Sequence, residues 1–551
     1  MAGEIRSRQT PATRSRWSRA VGLLRPSHTH SVFSATLLLM ASSFLSRIIG
    51  LVRMKYIAWL FGTGLQADAL TAAFVLPDMI SYFLVGGVAS ISFVSMLTRY
   101  KEQGEEARGE RSLSVILNTM YLVLGAAIVV AELAAPLWVH WWFKGFGPEK
   151  AALCVQLTRI LLPAQLFFFA GGVFGSVLLV RKQFNVQAVA PLIYGSGAIV
   201  GGVLLYKYIG ASSLAIGTTM GAFFGPFLLN WIFAHRAGTR YHLILDWHDE
   251  GLHEWIRLTL PLMIGQSLVT WDNWFIAYFA SDTNGGIALM NYAKQMFTAP
   301  MSMLGQAAGV ASMPFFASLW TKGKRYEFAV GVADSVSRLA ALGLLISSCM
   351  IALGKPTIEL FLVGGRFSKA DAGLCAVYFT VFCGTMCLWG AQSLYVRAFY
   401  AAGKTLEPAV ASTVVTMASF PVYAALYHSM GMMGLAIASD LGIVVQTVTV
   451  AVLLHNRRMV SLASLDYREL GRCLLAGVVS GSAVAVGALG FERVLPHLHI
   501  GLLENPRLSA AVVLVLGSVA WLLMTRWVLE LTGSALPRVA MQKLGMGKPR
   551  Y

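Results

Sequence analysis

Charged side chains inside long apolar segments are the residues of this sequence best placed to do chemistry. Residues 44–98 carry Arg47, Arg53, Lys55 and Asp68 among almost uniformly apolar neighbours. A charge at the centre of a bilayer costs about 2.5–3.5 kcal/mol on insertion scales, so such residues face a protein interior or a wet cavity. Because three of the four are cations, they indicate an anionic cargo.

The composition places those charges in a membrane protein. Of the 551 residues, 56% are hydrophobic and 13% are charged, and the mean hydropathy is +0.65, which is too apolar for a soluble globule. The formal charge of +17 resides mainly in short loops between apolar spans and not on one basic face, so nucleic-acid binding is not expected. The six cysteines lack paired spacing and read as core residues.

Fourteen segments approach the roughly 20 apolar residues that a transmembrane helix needs, and they predict an all-α polytopic membrane protein. The predicted spans lie near 33–61, 67–97, 112–142, 152–180, 186–206, 212–234, 255–280, 286–319, 328–353, 371–401, 407–428, 431–454, 470–491 and 508–531. An even number places both termini on one side. Lysines and arginines concentrate in the loops of that side, so both termini are predicted to be cytoplasmic.

The sequence also repeats itself. Residues 87–90 read GVAS and recur at 309–312, a displacement of 222, while Gly210 and Gly431 begin matching blocks displaced by 221. The offset spans six predicted helices. An even number of helices between copies gives both copies the same orientation, so two parallel six-helix lobes are expected, related by an axis near the membrane normal, with a cargo cavity between them.

These observations divide the chain into six predicted parts. They are a basic cytoplasmic N-terminus (1–32), an N-lobe of six helices (33–234), an amphipathic interfacial linker (235–254), a C-lobe of six helices (255–456), two further C-terminal helices (457–532) and a cytoplasmic tail (533–551).

One stretch resembles a known family. Residues 46–77, SRIIGLVRMKYIAWLFGTGLQADALTAAFVLP, are similar to the pattern S-R-x-x-G-x-x-R, F-G-x-G, D-A and L-P of the MurJ (MviN) lipid II flippases, which belong to the multidrug/oligosaccharidyl-lipid/polysaccharide superfamily. The resemblance implies alternating-access export of undecaprenyl-pyrophosphate-linked peptidoglycan precursor across the bacterial inner membrane. It also implies cavity arginines on the first, second and eighth helices.

Only the first-helix arginines of the family pattern are retained, as Arg47 and Arg53. Ser81 stands near the basic position of the second helix, and Lys294 and Gln295 stand where the eighth helix usually has an acid and an arginine. The predicted cargo-binding residues are Arg47, Arg53, Asp68, Ser81, Lys294 and Gln295. Guanidinium groups suit this cargo because they bind phosphate oxygens bidentately and stay charged.

The geometry of the first helix leaves two interpretations open. Arg47 and Arg53 point about 120° apart on a straight helix, and a bend at Gly50 would bring both to one cavity. Alternatively, Arg53 and Lys55 reach the interface or pair with Asp68.

A second group of polar residues is the candidate for coupling. Asp272, with Ser439 and Asp440, is predicted to take a proton or sodium ion, and the membrane potential is a further possible driving force. Lys294 either replaces the missing cavity arginine or forms a buried bridge with Asp272. No cofactor and no metal are expected.

Lipid II transport is therefore the leading prediction, with membrane lipid as the surrounding partner. The alternatives are a flippase for another polyprenyl-linked oligosaccharide and a cation-coupled drug antiporter of the same superfamily. A membrane glycosyltransferase or ligase is disfavoured, because the longest outer connection, 492–507, shows no convincing set of catalytic residues.

Overall fold

The structure is a computed structural model that describes residues 32–85, 87–264, 268–494 and 506–537. Regular secondary structure in these ranges is helical throughout, which confirms the all-α fold class. The predicted basic N-terminus, the loop near residue 500 and most of the C-terminal tail lie outside the described residues.

Within the described residues, the first half of the chain forms ten α-helices and two π-helical segments. The α-helices are α1 (Val32–Phe61), α2 (Leu65–Ala73), α3 (Val75–Ile80), α4 (Gly87–Glu102), α5 (Glu106–Trp142), α6 (Pro148–Leu161), α7 (Ala164–Val180), α8 (Phe184–Ile209), α9 (Ser212–Ala222) and α10 (Asn230–Arg236). The π-helical segments, Ser81–Val85 and Phe223–Leu229, widen the predicted second and sixth spans without ending them.

The second half continues the same architecture. Its α-helices are α11 (Glu250–Ile264), α12 (Leu268–Ala280), α13 (Gly286–Thr321), α14 (Arg325–Ala352), α15 (Gly354–Leu362), α16 (Lys369–Cys383), α17 (Met386–Ala401), α18 (Leu406–Met430), α19 (Met432–Asn456), α20 (Tyr467–Val494) and α21 (Pro506–Leu531). A short 3₁₀ turn, Leu462–Ser464, precedes α20.

Ten helices within the described ranges are long and apolar enough to cross a membrane, or eleven if the pair Lys369–Cys383 and Met386–Ala401, bent by 44°, forms one span. The protein is therefore polytopic, and the count of fourteen spans stays a prediction. Each predicted span nevertheless falls on a helix or on consecutive helices. The breaks occur at residues such as Leu162 and Pro163, where Pro163 has no N–H to continue the hydrogen-bond ladder.

The predicted repeat has a local counterpart in the structure. Gly210 and Gly431 follow α8 and α18 with nearly identical backbone angles, φ 55° and ψ −133° against φ 59° and ψ −137°. Each N–H donates to a tyrosine carbonyl four residues earlier, Tyr206 or Tyr427. Glycine adopts this backbone conformation at little cost because it has no Cβ. The domain boundaries themselves stay predictions.

The linker lies against the N-lobe. Asn118 of α5 donates from Nδ2 to the carbonyls of His242 and Ile244, both at 2.9 Å. Arg99 forms a bidentate ion pair with Glu254, and this guanidinium holds the pKa of the Glu254 carboxyl below its usual value. Residues 237–246 form no helix, and Leu243 is 86% exposed. An apolar side chain on this charged segment fits the predicted position at a membrane interface.

The largest buried apolar cluster joins both halves of the chain. It contains Phe61 and Phe143 from the N-lobe together with Phe279, Tyr292 and Phe367 from the C-lobe. The lobes are therefore packed together at the level of these residues.

Candidate functional site

A cavity of about 510 Å³ lies between the two lobes. The polar and aromatic side chains that line it come from seven different helices and from Phe74, which lies between α2 and α3. They are Arg47, Arg53, Thr71, Phe74, Asp78, Tyr194, Thr218, Asn273, Trp274, Asn291, Tyr292, Lys294, Gln295 and Thr298. Four of the six residues predicted to bind cargo, Arg47, Arg53, Lys294 and Gln295, are in this set.

Both arginines of α1 reach the cavity, although they are six residues apart on one helix. Gly50 lines the cavity between them, and a Cβ built on Gly50 would meet no atom within 4 Å. The space beside this turn is therefore open. A straight helix would point the two arginines about 120° apart, so the cavity wraps around this part of α1.

Two partners of Arg53 were not predicted from the sequence. Asp78 on α3 interacts electrostatically with Arg53, and Tyr194 on α8 lines the same cavity beside it. Asp78 is an acid inside a predicted span, which is the signal that could have marked it as a site residue. The Asp78 carboxylate partly neutralises the cationic wall of the cavity.

Lys294 belongs to the cavity and to a buried network at once. Its side chain lines the cavity, yet only 8% of the residue is exposed and Nζ donates to Oδ2 of Asp272. The neighbouring Gln295 donates from Nε2 to Oδ1 of Asn291 at 3.0 Å. The predicted bridge to Asp272 is therefore present, and Lys294 also borders the cavity, where its role in binding cargo stays a prediction.

Asp272 is surrounded by donors from three other helices. Besides Lys294 of α13, the hydroxyl of Tyr423 on α18 donates to Oδ1, and Ser439 on α19 donates to Oδ2 at 2.8 Å. The structure thus brings Asp272 and Ser439 together as predicted. Asp440 turns to a different partner and accepts a hydrogen bond of 2.6 Å from Thr385.

Asp68, the fifth residue predicted to bind cargo, lies elsewhere, and the structure corrects this prediction. The residue is fully buried. Its carboxylate accepts hydrogen bonds from the backbone N–H groups of Gly285 at 2.8 Å and Ala288 at 2.9 Å, and from Nζ of Lys150 at 2.9 Å. With both oxygens occupied by protein donors, Asp68 ties the N-lobe to the start of α13 and does not line the cavity.

Ser81 is the sixth predicted cargo residue, and it too lies outside the cavity lining. It begins the π-helical segment Ser81–Val85. A π-helix has more residues per turn than an α-helix, so the residues along this segment point in other directions than α-helical spacing predicts. The spacing of residues in the sequence does not reveal this change.

Further contacts close the cavity at the end where Asp68 lies. Lys55 donates to the carbonyls of Leu362 and Val363 at 2.9 and 2.8 Å. Thr63 donates to Asp371 at 2.9 Å, and Tyr292 donates to the carbonyl of Gly62 at 3.0 Å (O···O). Each contact joins the N-lobe to the C-lobe. Lys55 therefore contributes to this closure and does not join Arg47 and Arg53 in the cavity.

This arrangement suits an anion. Two guanidinium groups and one ammonium group face the same enclosed space, where charge-assisted hydrogen bonds to phosphate oxygens are stronger than in water. Among the residues that the structure describes, no group of three or more His, Cys, Asp or Glu is placed to hold a metal ion.

A family model described as "Lipid II flippase MurJ" matches residues 57–502, a range that begins after Arg53. The relative "Probable lipid II flippase MurJ" from Vibrio cholerae is 22% identical over 457 residues, covering 81% of this chain and 87% of the relative. The protein of the same name from Bdellovibrio bacteriovorus is 22% identical over 487 residues, covering 86% and 90%.

Solved structures share the fold. "Lipid II flippase MurJ, inward closed conformation" matches with a TM-score of 0.72 at 19% identity, over 90% of this chain and 99% of that one. A multidrug resistance MATE transporter of the MOP superfamily in an inward-facing conformation matches with a TM-score of 0.63 at 15% identity, over 76% and 94%. At these identities the likeness concerns the fold alone.

Proposed function

The chain belongs to the MurJ family of lipid II flippases, and from that membership we propose that it moves lipid II from the cytoplasmic to the outer leaflet of the bacterial cytoplasmic membrane. This cargo is an undecaprenyl-pyrophosphate-linked disaccharide pentapeptide. The protein acts as a transporter and not as an enzyme, because flipping requires no covalent step. Both termini lie in the cytoplasm, on the side where lysine and arginine are most frequent in the loops.

One observation carries the proposal, namely that Arg47, Arg53 and Lys294 line a single cavity between the lobes. A pyrophosphate group crossing the hydrocarbon region must exchange its hydration for other favourable contacts. Arginine supplies bidentate contacts in a fixed plane, and lysine supplies a point charge on a flexible stem. Arg47 and Arg53 bind the pyrophosphate from the N-lobe, and Lys294 reaches it from the C-lobe.

Transport follows from opening and closing the two ends of this cavity. The contacts of Lys55, Thr63 and Asp68 with the C-lobe hold one end shut. The polyprenyl chain stays in the membrane while the headgroup enters from the opposite, cytoplasmic end. Release to the outer leaflet then requires these contacts between the lobes to separate.

The Asp272 network is the place where cargo and driving force meet. Lys294 already provides a positive charge to Asp272, and Ser439 and Tyr423 occupy further acceptor positions of that carboxylate. A proton or the membrane potential therefore suits this network better than sodium, which would have to displace the tethered ammonium. When Lys294 turns to a pyrophosphate oxygen, Asp272 loses its cationic partner and keeps only neutral donors, which favours uptake of a proton.

A flippase for another polyprenyl-linked glycan is the second candidate. It is favoured by the neutral Gln295 and by the position of Asp78 beside Arg53, since both reduce the positive charge that the headgroup meets. The fold likeness to the MATE transporter supports the drug-antiporter alternative. A cavity lined by three cations, however, repels cationic drugs.

A rescue experiment tests the proposal. The wild-type chain is expressed in a bacterium depleted of its own lipid II flippase, and growth is scored with the outer-leaflet accessibility of labelled lipid II. We expect rescue by wild type, failure of Arg47→Ala and rescue by the control Arg338→Gln, since Arg338 sits in a surface pair with Asp334. Insertion of every variant is verified by membrane quantification. Absence of labelled lipid II outside in cells that contain the wild-type chain would refute lipid II as the cargo.

A further inference from the structure

A second cavity, of about 610 Å³, lies where α4, α5, α7 and α10 end or begin, beside the linker. We call it the basic interfacial cavity. Its charged lining residues are four cations and two acids: Lys101, Arg181, Lys182, Arg236, Glu106 and Glu110. The distribution of loop lysines and arginines places this region on the cytoplasmic side, at the level of the lipid headgroups.

The cations outnumber their protein partners. Arg181 forms an ion pair with Glu110 at 3.5 Å. Lys101, Lys182 and Arg236 have no carboxylate partner among the residues that the structure describes. Arg236 is held in place by the ring of Phe233, with its guanidinium carbon 5.6 Å from the ring centre. Positive charge is therefore left available at a cavity that is open on one side, since Lys101, Lys182 and Arg236 are all exposed.

A buried hydroxyl in the same cavity lacks a partner. Thr239 lines the cavity and is only 4% exposed, yet its Oγ1 makes no hydrogen bond. Its backbone is fixed, because its N–H donates to the carbonyl of Ala234 at 3.1 Å. Buried hydroxyls nearly always have a hydrogen-bond partner. An unpaired one has lost its hydrogen bonds to water and gains no hydrogen bond within the protein in exchange. An acceptor from outside the protein would satisfy this group.

The repeated C-lobe shows that the fold does not require a cation at the position of Lys182. Lys182 has a left-handed backbone, φ 59°, and its N–H donates to Leu179 three residues earlier. The residue 221 positions later is Gly403, with φ 74° and the matching bond to Tyr400. Glycine is the favourable residue at such a position. Helix C-termini attract cations in general, but in the C-lobe the left-handed position itself is a glycine, and the lysine that follows it, Lys404, pairs with Glu407 at 3.7 Å.

We propose that the basic interfacial cavity binds a phosphate group, as found in an anionic phospholipid headgroup or in free phosphate. Lys101, Lys182 and Arg236 contact the phosphate oxygens, and Thr239 donates its hydroxyl to one of them. Phosphate matches this set because it presents several strong acceptors at once and carries a negative charge.

The remaining wall of the cavity fits the lipid source. Leu97, Val177, Val180 and Phe184 line it together with the charged residues. Acyl chains can cover these apolar side chains while the headgroup faces the cations. Basic pockets between transmembrane helices on the cytoplasmic side bind anionic headgroups for the same reason.

Binding is measured on the purified full-length chain in neutral detergent, by native mass spectrometry and by the shift in unfolding temperature. The probes are short-chain phosphatidylglycerol, short-chain phosphatidylcholine and inorganic phosphate. We expect phosphatidylglycerol to bind and to raise the unfolding temperature, and phosphatidylcholine to do neither. An equal effect of inorganic phosphate would identify free phosphate as the source. Equal binding of the two lipids would overturn the proposal.

Variants locate the binding. Lys182→Gly removes a charge and suits the backbone at φ 59°, and Arg236→Gln removes a second charge; each is expected to weaken anion binding about tenfold. Lys322→Gln, an exposed cation after α13 in the C-lobe, is the matched control and should leave binding unchanged. Anion binding that survives the double variant Lys182→Gly with Arg236→Gln would refute the assignment.

Thr239→Val separates a binding role from a packing defect. Valine keeps the shape and removes the unpaired hydroxyl, so the ligand-free variant should unfold at a higher temperature than wild type. The same variant should bind the anion several-fold more weakly, because one hydrogen bond is lost. A variant that is stabilised but binds the anion as wild type does would exclude Thr239 from the site. None of these measurements depends on transport.

Discussion

Two buried aspartate–lysine pairs, Asp68–Lys150 and Asp272–Lys294, differ in what surrounds them. In the first pair Lys150 is 5% exposed and lies outside the lining of the cavity between the lobes. In the second pair Lys294 is 8% exposed and lines that cavity. Similar burial therefore accompanies two different relations to the cargo site.

The donors around each carboxylate explain the difference. Asp68 accepts two backbone N–H groups from Gly285 and Ala288 in addition to Lys150. Backbone groups cannot turn away while the helix remains intact, so this pair is fixed for as long as the lobes stay in contact. Asp272 accepts only side-chain donors in the described hydrogen bonds. Side chains can exchange partners, and a pair next to a cavity can therefore respond to cargo.

The largest expected effect comes from breaking the fixed pair. Asp68→Ala leaves the Lys150 ammonium and two backbone N–H groups buried without a partner, which should destabilise the protein by about 3–5 kcal/mol. Thermal unfolding in detergent measures this loss. Spin labels on the exposed residues Lys144 and Lys369, near the described contacts of the two lobes, should in addition report a longer distance in the variant.

Lys150→Met and Asp334→Asn are the matched controls. Lys150→Met removes the buried ammonium but leaves Asp68 with two backbone donors, so it should cost less than Asp68→Ala. Asp334 and Arg338 form an exposed pair, with 52% and 66% of their side chains accessible, and breaking it should cost less than about 1 kcal/mol. A loss in Asp68→Ala no greater than that of Asp334→Asn would contradict the tether.

The exchangeable pair is probed by the binding of labelled lipid II. Arg47→Ala removes a charge-assisted contact of about 1.5–3 kcal/mol, equivalent to about ten- to a hundred-fold in affinity. Lys294→Ala should weaken binding less, because the wild-type ammonium must first leave Asp272.

The double variant decides whether the two cations share a phosphate. If Arg47 and Lys294 contact different groups of the cargo, the two losses add; if they contact one phosphate, the double loss departs from the sum by 0.5 kcal/mol or more. Lys294→Arg keeps the charge and serves as the control. Full affinity and full transport by Arg47→Ala would contradict the phosphate-binding role of α1.

The sequence was sufficient to predict the helices, because the length of each apolar segment matches that of a membrane-spanning helix. It did not predict where the helices are interrupted. The predicted span 67–97 is in fact interrupted at Phe74 and widened over Ser81–Val85. Hydropathy averages over such local changes in backbone geometry. The repeat offset of 221 residues was informative for a different reason, since Gly210 and Gly431 need a backbone that few other residues adopt.

At the site, the important residues could be predicted because a charged side chain inside an apolar span is costly and therefore has a role. Their partners could not be predicted in this way. Arg47 and Arg53 were predicted and do line the cavity, whereas Asp68 was assigned to the cargo and forms the tether. Its partners are 82, 217 and 220 residues away in the chain, and no local pattern connects them. Asp78 was not predicted, because the basic position of the family pattern on this helix lies a few residues later, near Ser81.

The smallest expected effect on cargo binding concerns Tyr423, the fully buried partner of Asp272. Tyr423→Phe keeps the aromatic packing against Phe275 and removes one donor, so it should destabilise the protein by about 1–3 kcal/mol. Because Tyr423 does not line the cavity, the affinity for labelled lipid II should be unchanged, in contrast to Lys294→Ala. Thermal unfolding and cargo binding of both variants are compared in one detergent. If Tyr423→Phe lowered cargo affinity as strongly as Lys294→Ala, the Asp272 network would act on the cargo as a unit, and the separate role assigned to Lys294 would be lost.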